Sequence, residues 1–415
     1  MSVIRIIPVQ SSLQKRHFLE LPAKLHGHEP KFAPTLAWDE SRLLGFTSGH
    51  PFPEENEVQA WMAIREEVPV GRIVAINPRQ QSLVTQDGIA QDFSVQDNST
   101  QDSCAHFGFF AAENDLEVAR SLLRTAAWWA SQRGHEAVRG PFSPSINYTV
   151  GLMQNGFEAE PCFQVPNNPS YYATLLEAAG LKSIQDLFAL ELSREQMPQT
   201  TSRLERVAGR LSQRYGVKFR SLNKWKLDSE LDQFLKIAQQ SLQHHWGFVP
   251  LSEREHQQLI RDLRWIVDPN LLHFAEVDGV AVGAALALPD LAPCLQRIQG
   301  RLFPLGFLKL WWAKKHAKRF RVVATNVLPQ YNRLGIGPAL ISRIARHALK
   351  SDASIEFSWI AQSNPTSFQT IENGGAKRTK TFRVYEANCI ELLDRRNLPK
   401  ASSVECGGMM AQLTC

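Results

Sequence analysis

The chain has 415 residues, 43% hydrophobic and 21% charged, which suits two soluble globular domains better than one compact core. No run of eighteen apolar residues occurs. The best stretch, 280–291, contains Asp290 and follows Glu276 and Asp278, so a spanning helix is excluded. The net charge of +5 is small but unevenly placed: residues 291–351 hold no Asp or Glu and twelve Lys or Arg.

The N-terminus, MSVIRIIPVQ, carries Arg5 and no small-residue cleavage site, so it reads as a first strand and not as a signal peptide. Residues 58–64 and 68–76 have strand character, with Val70, Gly71 and Arg72 following a tight hairpin. Residues 80–103, rich in Gln, Asp and Ser and without periodicity, read as a mobile loop. Apolar residues at helical spacing, among them Leu116, Ala119, Leu122, Leu123 and Ala126, predict a helix over 116–132 that stops at Arg133-Gly134. EAVRGPFSPSIN after it reads as a strand entering a loop.

A polar helical connector, 196–215, separates a first unit, 1–195, from a second, 216–396. In the second unit 217–222 reads as a strand and 227–242 as an amphipathic helix. Residues 272–277 and 280–288 make a hairpin around Asp278-Gly279, the strongest short hairpin signal in the chain. Strands over 321–328, 355–360 and 381–385 alternate with helices over 337–350 and 365–372. The tail, 397–415, is aperiodic and Ser/Gly-bearing, which predicts disorder. The six cysteines (Cys104, Cys162, Cys294, Cys389, Cys406, Cys415) lack CxxC or His spacing. Free thiols in a reducing cytoplasm and no metal are expected.

The two units rhyme. NPSYYATLLEAAG (168–180) resembles NPTSFQTIENGGA (364–376), and each precedes a strand-like segment, DLFALEL or TFRVYEA. This implies duplication of one α/β unit.

The sequence VLPQYNRLGIGPALI (327–341) takes a strand through a polar turn into a helix. Pro338 suits a first helical turn. Glycines before a helix start let backbone N–H groups approach a ligand, and the helix dipole adds positive potential, so the turn is either an anion cradle or a tight turn without a ligand. It is not the dinucleotide fingerprint, because Leu340 stands where the third glycine is needed, and no Gly-Lys-Ser/Thr follows.

The order strand, VLPQYNRLGIGPALI, helix, strand, NPTSFQTIENGGA, strand resembles the GNAT acyltransferase superfamily over 217–393. The whole chain is similar to bacterial tandem-GNAT proteins through HFLELPAKLHGHEPKFAPTL, FGFFAAENDLEVARSLL and HHWGFVPLSE. The resemblance implies an α/β fold of two GNAT-like domains in tandem, each a mixed central sheet flanked by helices. It implies an acyl-CoA-dependent N-acyltransferase using acetyl-CoA or a longer acyl-CoA. The family's phosphate loop, Arg/Gln-x-x-Gly-x-Gly/Ala, falls on 332–337, with Asn332 in place of Arg or Gln. By resemblance, the backbone of Val327 and Leu328 holds the pantetheine arm. Arg333, Leu334, Gly335, Ile336 and Gly337, with Pro338 after them, hold the pyrophosphate, and Asn364 sits near the thioester. The first unit has Glu113, Asp115 and Glu117 at the corresponding helix start, which would repel a pyrophosphate, so a degenerate copy is expected there.

Transfer to an amine needs a neutral amine, an oxyanion donor and a proton for the thiolate. The superfamily's usual acid, a Tyr after the Asn, is replaced by Ile371. Tyr385 is either its substitute or a half-buried strand aromatic. Glu356, alternating with Ile355 and Phe357, is either the base or a solvent-side strand residue. His245, with His244, is either a proton acceptor near neutral pH or a packing or cap histidine. RLFPLGFLKLWWAKKHAKRF (301–320) is basic and aromatic. It is either a contact from Arg301 to Arg321 for a membrane surface or acyl-carrier protein, consistent with a lipid-like amine, or an inserted helix with buried aromatics. No nucleic-acid motif accompanies it. A cytoplasmic protein, peripheral at the inner membrane face if this segment binds lipid, is expected. The competing reading is a non-catalytic module binding acyl-CoA, a carrier protein or a membrane.

Overall fold

The computed structural model describes residues 3–78, 104–302 and 304–394, with the backbone of 83–84 and 90–91. The expected disordered tail and nearly all of the expected mobile loop lie outside the described residues.

Thirteen strands form one mixed sheet: β1 Ile4–Pro8, β2 Glu57–Arg65, β3 Val68–Asn77, β4 Cys104–Ala112, β5 Ala137–Gly140, β6 Leu152–Asn155, β7 Lys182–Leu192, β8 Lys218–Ser221, β9 Leu272–Val277, β10 Val280–Pro289, β11 Arg319–Val327, β12 Ser354–Ala361 and β13 Lys377–Asn388. The helices are α1 Ser12–His26, α2 Ala37–Leu43, α3 Phe52–Glu55, α4 Leu116–Ser131, α5 Tyr171–Ala178, α6 Met197–Tyr215, α7 Leu227–Leu242, α8 Glu253–Ile266, α9 Ala292–Ile298, α10 Gly306–Lys315, α11 Ile336–Lys350, α12 Pro365–Asn373 and α13 Cys389–Leu393.

Local chemistry sets many of these boundaries. Asp278 (φ 49°) and Gly279 (φ 80°) take the left-handed values that a two-residue hairpin requires, which joins β9 to β10. Asp115 accepts from the Glu117 N–H to start α4, Ser252 accepts from the Glu255 N–H to start α8, and Asn364 accepts from the Ser367 N–H to start α12. The apolar stripe of α4, including Val118, Leu122 and Ala126, is fully buried against the first half of the sheet. Burial of a side chain such as Leu122 contributes about 1.5–3 kcal/mol.

The strand order is β1-β2-β3-β4-β5-β13-β7-β12-β11-β10-β9-β8, with β6 also on β13. Read from either edge it is the same motif: antiparallel strands, one parallel pair (β4/β5 or β11/β12), then a strand supplied by the other half. β7 precedes α6 in sequence yet lies on β12, whereas β13 ends the second half yet lies on β5. The rhyming segments thus become α5–β7 and α12–β13, whose strands pair with each other at the centre, from Lys182 opposite Glu386 to Glu191 opposite Lys377. The connector helix α6 packs on α11 through Ala208 and Leu211.

Candidate active site

The parallel pairing of β11 with β12 lasts only from Arg319 opposite Ser354 to Val322 opposite Phe357. Beyond it β12 follows β7, up to Ala361 opposite Leu187, while β11 follows β10, so the two strands part. In an antiparallel ladder, successive residues turn their peptide groups alternately toward and away from the neighbour. The Leu328 N–H donates to the Val282 carbonyl at 2.9 Å. The peptide groups of Val327 therefore face the gap. Of the two residues expected to meet the pantetheine arm through their backbone, Leu328 has its N–H on the Val282 carbonyl and its own carbonyl accepting from the Tyr331 N–H.

The first half repeats this geometry with a different outcome. The Glu113 N–H donates to Val70 O as Leu328 does to Val282, and Gly71 opposes Ala112 as Gly283 opposes Val327. Ala112 thus stands where Val327 stands in the other half. Its N–H donates to the Tyr172 hydroxyl (2.9 Å), and its C=O accepts from the Tyr171 hydroxyl (2.8 Å). Both tyrosines come from α5. At the start of α4, Arg65 is ion-paired with Glu113 and Asp115.

A cavity of about 1300 Å³ takes in the β11/β12 gap and extends between the halves. Its lining includes Asn326 and Ser358 in the gap, Phe234 and Leu263 of α7 and α8, and Phe109 and Tyr172 of the first half. Asn364, Ser367 and Ile371 line it from α12. The loop residues Arg333, Leu334, Gly335, Ile336, Gly337 and Pro338 follow β11 outside this lining. Gly335 has φ 86°, a left-handed value that an L side chain adopts only with strain, and it caps α11. Helix α11 begins at Ile336, one residue earlier than expected. Among the described residues, Arg333 has no carboxylate at ion-pair distance.

The three candidate catalytic residues are dispersed. Glu356 is 0% exposed and absent from the lining; its carboxylate accepts from Lys380 Nζ and from Ser358 Oγ, each at 2.9 Å. Burial alone would raise its pKa, but Lys380, Arg319 and these hydrogen bonds outweigh it and hold the carboxyl below its ordinary value. It is neither on the solvent side nor facing the cavity. Its network continues outward, since Arg321 Nε donates to Ser358 Oγ (2.9 Å). Tyr385 is buried in the first-half core, and its hydroxyl donates to the Glu177 carboxylate at 3.0 Å with the Gln154 amide 3.1 Å away. It does not reach the cavity. His245 does line the cavity. Its pKa is lowered by burial and by His244, against a backbone hydrogen bond at Leu242. The loop after it is held to the first half: Gly247 has φ 70°, a Cβ there would meet Ile146 Cδ1 at 2.3 Å, and Asn147 Nδ2 donates to Val249 O.

Several polar residues of the cavity gave no signal in the sequence. Asp39 of α2 and Asp262 of α8 lie 3.9 and 3.6 Å from the same Arg42 Nη1. Burial, helped by the charge of Asp262 and opposed by Arg42, pushes Asp39 up to about 6. Burial also raises Asp262. His26 lies 2.6 Å from the Tyr172 hydroxyl, and burial brings its pKa down to about 4. These groups come from distant parts of the chain, so no spacing connects them. The first-half segment 17–36, which carried part of the resemblance, contains His26.

Helix α10 lies at the cavity rim. Phe307 and Trp311 line the cavity, yet Trp311 is 59% and Trp312 57% exposed. The alternative in which these aromatics are buried is therefore corrected. Neighbouring α9 packs with Phe163 and Leu36 of the first half. Among the described residues no helix is long and apolar enough to cross a membrane, and no cluster could hold a metal ion.

No family model matches the chain. It is 30% identical over 393 residues to the bacterial ceramide synthase of Caulobacter vibrioides, covering 92% of this chain and 97% of that one. It is 28% identical over 379 residues to protein YghO of Escherichia coli K12, covering 89% and 91% respectively. Among solved structures it is similar to a tandem GNAT protein from the clavulanic acid biosynthesis pathway, with a TM-score of 0.53 at 12% identity over 93% of this chain and 98% of that one. The non-catalytic reading gives way to this relationship. The chain belongs to the family of the bacterial ceramide synthase, is an N-acyltransferase, and has the fold of a tandem GNAT protein.

Proposed function

We propose that the protein transfers a long acyl group from acyl-CoA to the amine of a long-chain amino lipid. The catalytic centre belongs to 216–396, and 1–195 is a degenerate copy that lines the acceptor side. The observation that carries this reading is the large, mainly apolar cavity continuous with the β11/β12 gap, with exposed aromatics at its rim. A small acceptor needs no such volume; two hydrocarbon chains do. A ceramide, the product in the relative's name, is such an N-acylated long-chain amine.

The chain has residues suited to the donor. Ile336 and Gly337 begin α11, where the first N–H groups lack helical partners. A Cβ on Gly337 would meet Thr325 Cγ2 at an ordinary 3.5 Å, so the glycine there leaves room for a ligand and is not demanded by packing. Val327 offers its peptide groups to the pantetheine arm, and Asn364 borders the same gap. In the first half Tyr171 and Tyr172 occupy the equivalent positions, which favours a degenerate role. The amine nitrogen attacks the thioester carbon, the C–S bond breaks, and one amine proton passes to the thiolate. His245, kept neutral by its lowered pKa, is the proposed acceptor of that proton. Ile371 has no proton to give the thiolate, so a cavity water relays the amine proton from the His245 imidazolium to the sulfur, which leaves His245 neutral again. Helix α10, with Lys309 and Lys315 beside its exposed aromatics, is the face proposed to meet an anionic membrane.

Calorimetric binding of CoA, acetyl-CoA and palmitoyl-CoA tests the donor. The reading predicts palmitoyl-CoA binding at least tenfold more tightly than acetyl-CoA, from burial of its methylenes at about 0.8 kcal/mol each. Equal affinities would remove the lipid-chain assignment, and no binding of any of the three would point to an acyl-carrier donor.

A further inference from the structure

Buried polar groups in folded proteins almost always have hydrogen-bond partners, and exceptions mark places where a partner arrives from outside. In the β11/β12 gap the polar side chains are nearly all engaged. Arg321 is spent on Ser358 and on the Phe163 carbonyl, and Ser358 on Glu356, while Asn364, only half-buried, uses its Oδ1 to accept from the Ser367 N–H. Asn326 differs. It is 5% exposed, it lines the cavity, and its Nδ2 is closed to water without a partner among the described residues; a half-turn of the carboxamide, which exchanges nitrogen and oxygen, turns the donor toward the cavity. Its backbone is fixed by the ladder opposite Ala284. Alternation along β11 sends its side chain to the face where Ala324 and Leu328 pack with Phe234 of α7. Asn326 immediately precedes Val327, the residue whose peptide groups face the gap.

The structure assigns Asn326 a role in the transfer reaction: we infer that its carboxamide N–H donates a hydrogen bond to the carbonyl oxygen of the acyl thioester. This rests on the acyl-CoA reading above. When the amine attacks, the C=O electron pair moves onto that oxygen. The pair returns as the C–S bond breaks, leaving an amide and CoA thiolate. A fixed donor already desolvated at this oxygen stabilises the developing charge without reorganisation. An apolar residue would pack there without an orphaned donor, so the amide lowers stability in the empty protein and is satisfied by the substrate. The corresponding residue of the first half, one before Ala112, is Ala111, which has no donor side chain.

The test uses the full chain with two CoA derivatives of equal chain length. One is a ketone in which a methylene separates sulfur from the carbonyl. The other is an S-alkyl thioether without a carbonyl. Wild type should bind the ketone about tenfold more tightly, the effect of one hydrogen bond. Asn326→Leu should bind the thioether as wild type does and lose the preference for the ketone. It should melt no lower than wild type, and its kcat/KM for the donor should fall about a hundredfold or more, of which about tenfold appears as a higher KM, matching the lost ketone preference, and the rest as a lower kcat. If Asn326→Leu keeps the preference, the assignment is overturned. If both Asn326→Leu and Asn326→Ala melt well below wild type, the amide has a structural partner and the assignment is again overturned. If wild type binds neither derivative, the acyl-CoA reading fails first, an outcome told apart by the thioether alone.

Discussion

Lys380 Nζ lies 2.9 Å from Glu356 Oε2, and both side chains are shut off from water, at 3% and 0% exposed. The pair joins β13 to β12 across β7, at the centre of the sheet where the halves exchange strands. A buried pair of this kind gains little over a well-packed apolar pair, but half of it is costly to leave alone. Lys380→Met should therefore lower stability by about 3–5 kcal/mol in urea unfolding. Combining it with Glu356→Leu should recover most of that loss. A direct catalytic role for Glu356 predicts instead a large loss of turnover in Glu356→Gln without a matching loss of stability.

Tyr385→Phe removes a hydroxyl that serves Glu177 and Gln154 in the first-half core. The expected result is about 1 kcal/mol of lost stability, with turnover within twofold of wild type. A hundredfold fall in kcat with the melting temperature unchanged would restore Tyr385 as the general acid.

Acid should destabilise the protein in a defined window. Burial lowers His26, His50 and His273 to about 4 from an ordinary 6.5. Between these values the unfolded chain binds protons that the folded chain refuses, so stability falls as pH drops from 6.5 toward 4. Asp39 and Asp262 act in the opposite sense but are outnumbered. Urea midpoints measured from pH 7 to pH 4.5 should decline throughout. His50→Gln should flatten the slope.

Asp39 has the opposite signature. Its folded pKa of about 6 lies above the ordinary 3.8, so its contribution to stability declines as pH rises through that interval. Asp39→Asn should therefore raise the melting temperature relative to wild type more at pH 8 than at pH 4.5. An equal change at both pH values would contradict the raised pKa.

Trp311 and Trp312 stand beside Lys314 and Lys315, and Lys315 Nζ lies 3.7 Å above the Trp311 ring. Replacing both tryptophans by Ser should reduce sedimentation with phosphatidylserine-containing vesicles at least tenfold, with little effect on melting because the rings are exposed. Binding by wild type should weaken with added salt. Unchanged vesicle binding in the double variant would contradict the docking face.

Much of the fold is legible in local pattern. The Asp278-Gly279 hairpin, the helix over 227–242 and the strand–helix–strand run from 321 all have signals within a few residues of one another. The exchange of β7 and β13 leaves no such trace, because Leu187 meets Ala361 only through tertiary pairing. The site shows the same division. Alternation placed Glu356 and Ser358 on one face, and they are hydrogen-bonded there. The same pattern could not show that the face is covered rather than solvated, since Phe163 and Lys380 come from distant segments. Asp39 and Asp262 meet at Arg42 only because α2 and α8 pack across the halves. The Gly-x-Gly turn was legible because backbone strain requires glycine at Gly335. Asn326 was not, because nothing in a sequence marks a donor as unpartnered.

The most direct measurement is amide formation, followed by mass spectrometry, from palmitoyl-CoA with a long-chain amino alcohol and, in parallel, with ethanolamine. The account predicts turnover with the long-chain amine, at least a hundredfold weaker turnover with ethanolamine, and loss of both in a folded Gly335→Glu variant. Equal or better turnover of ethanolamine, or undiminished turnover in Gly335→Glu, would contradict it.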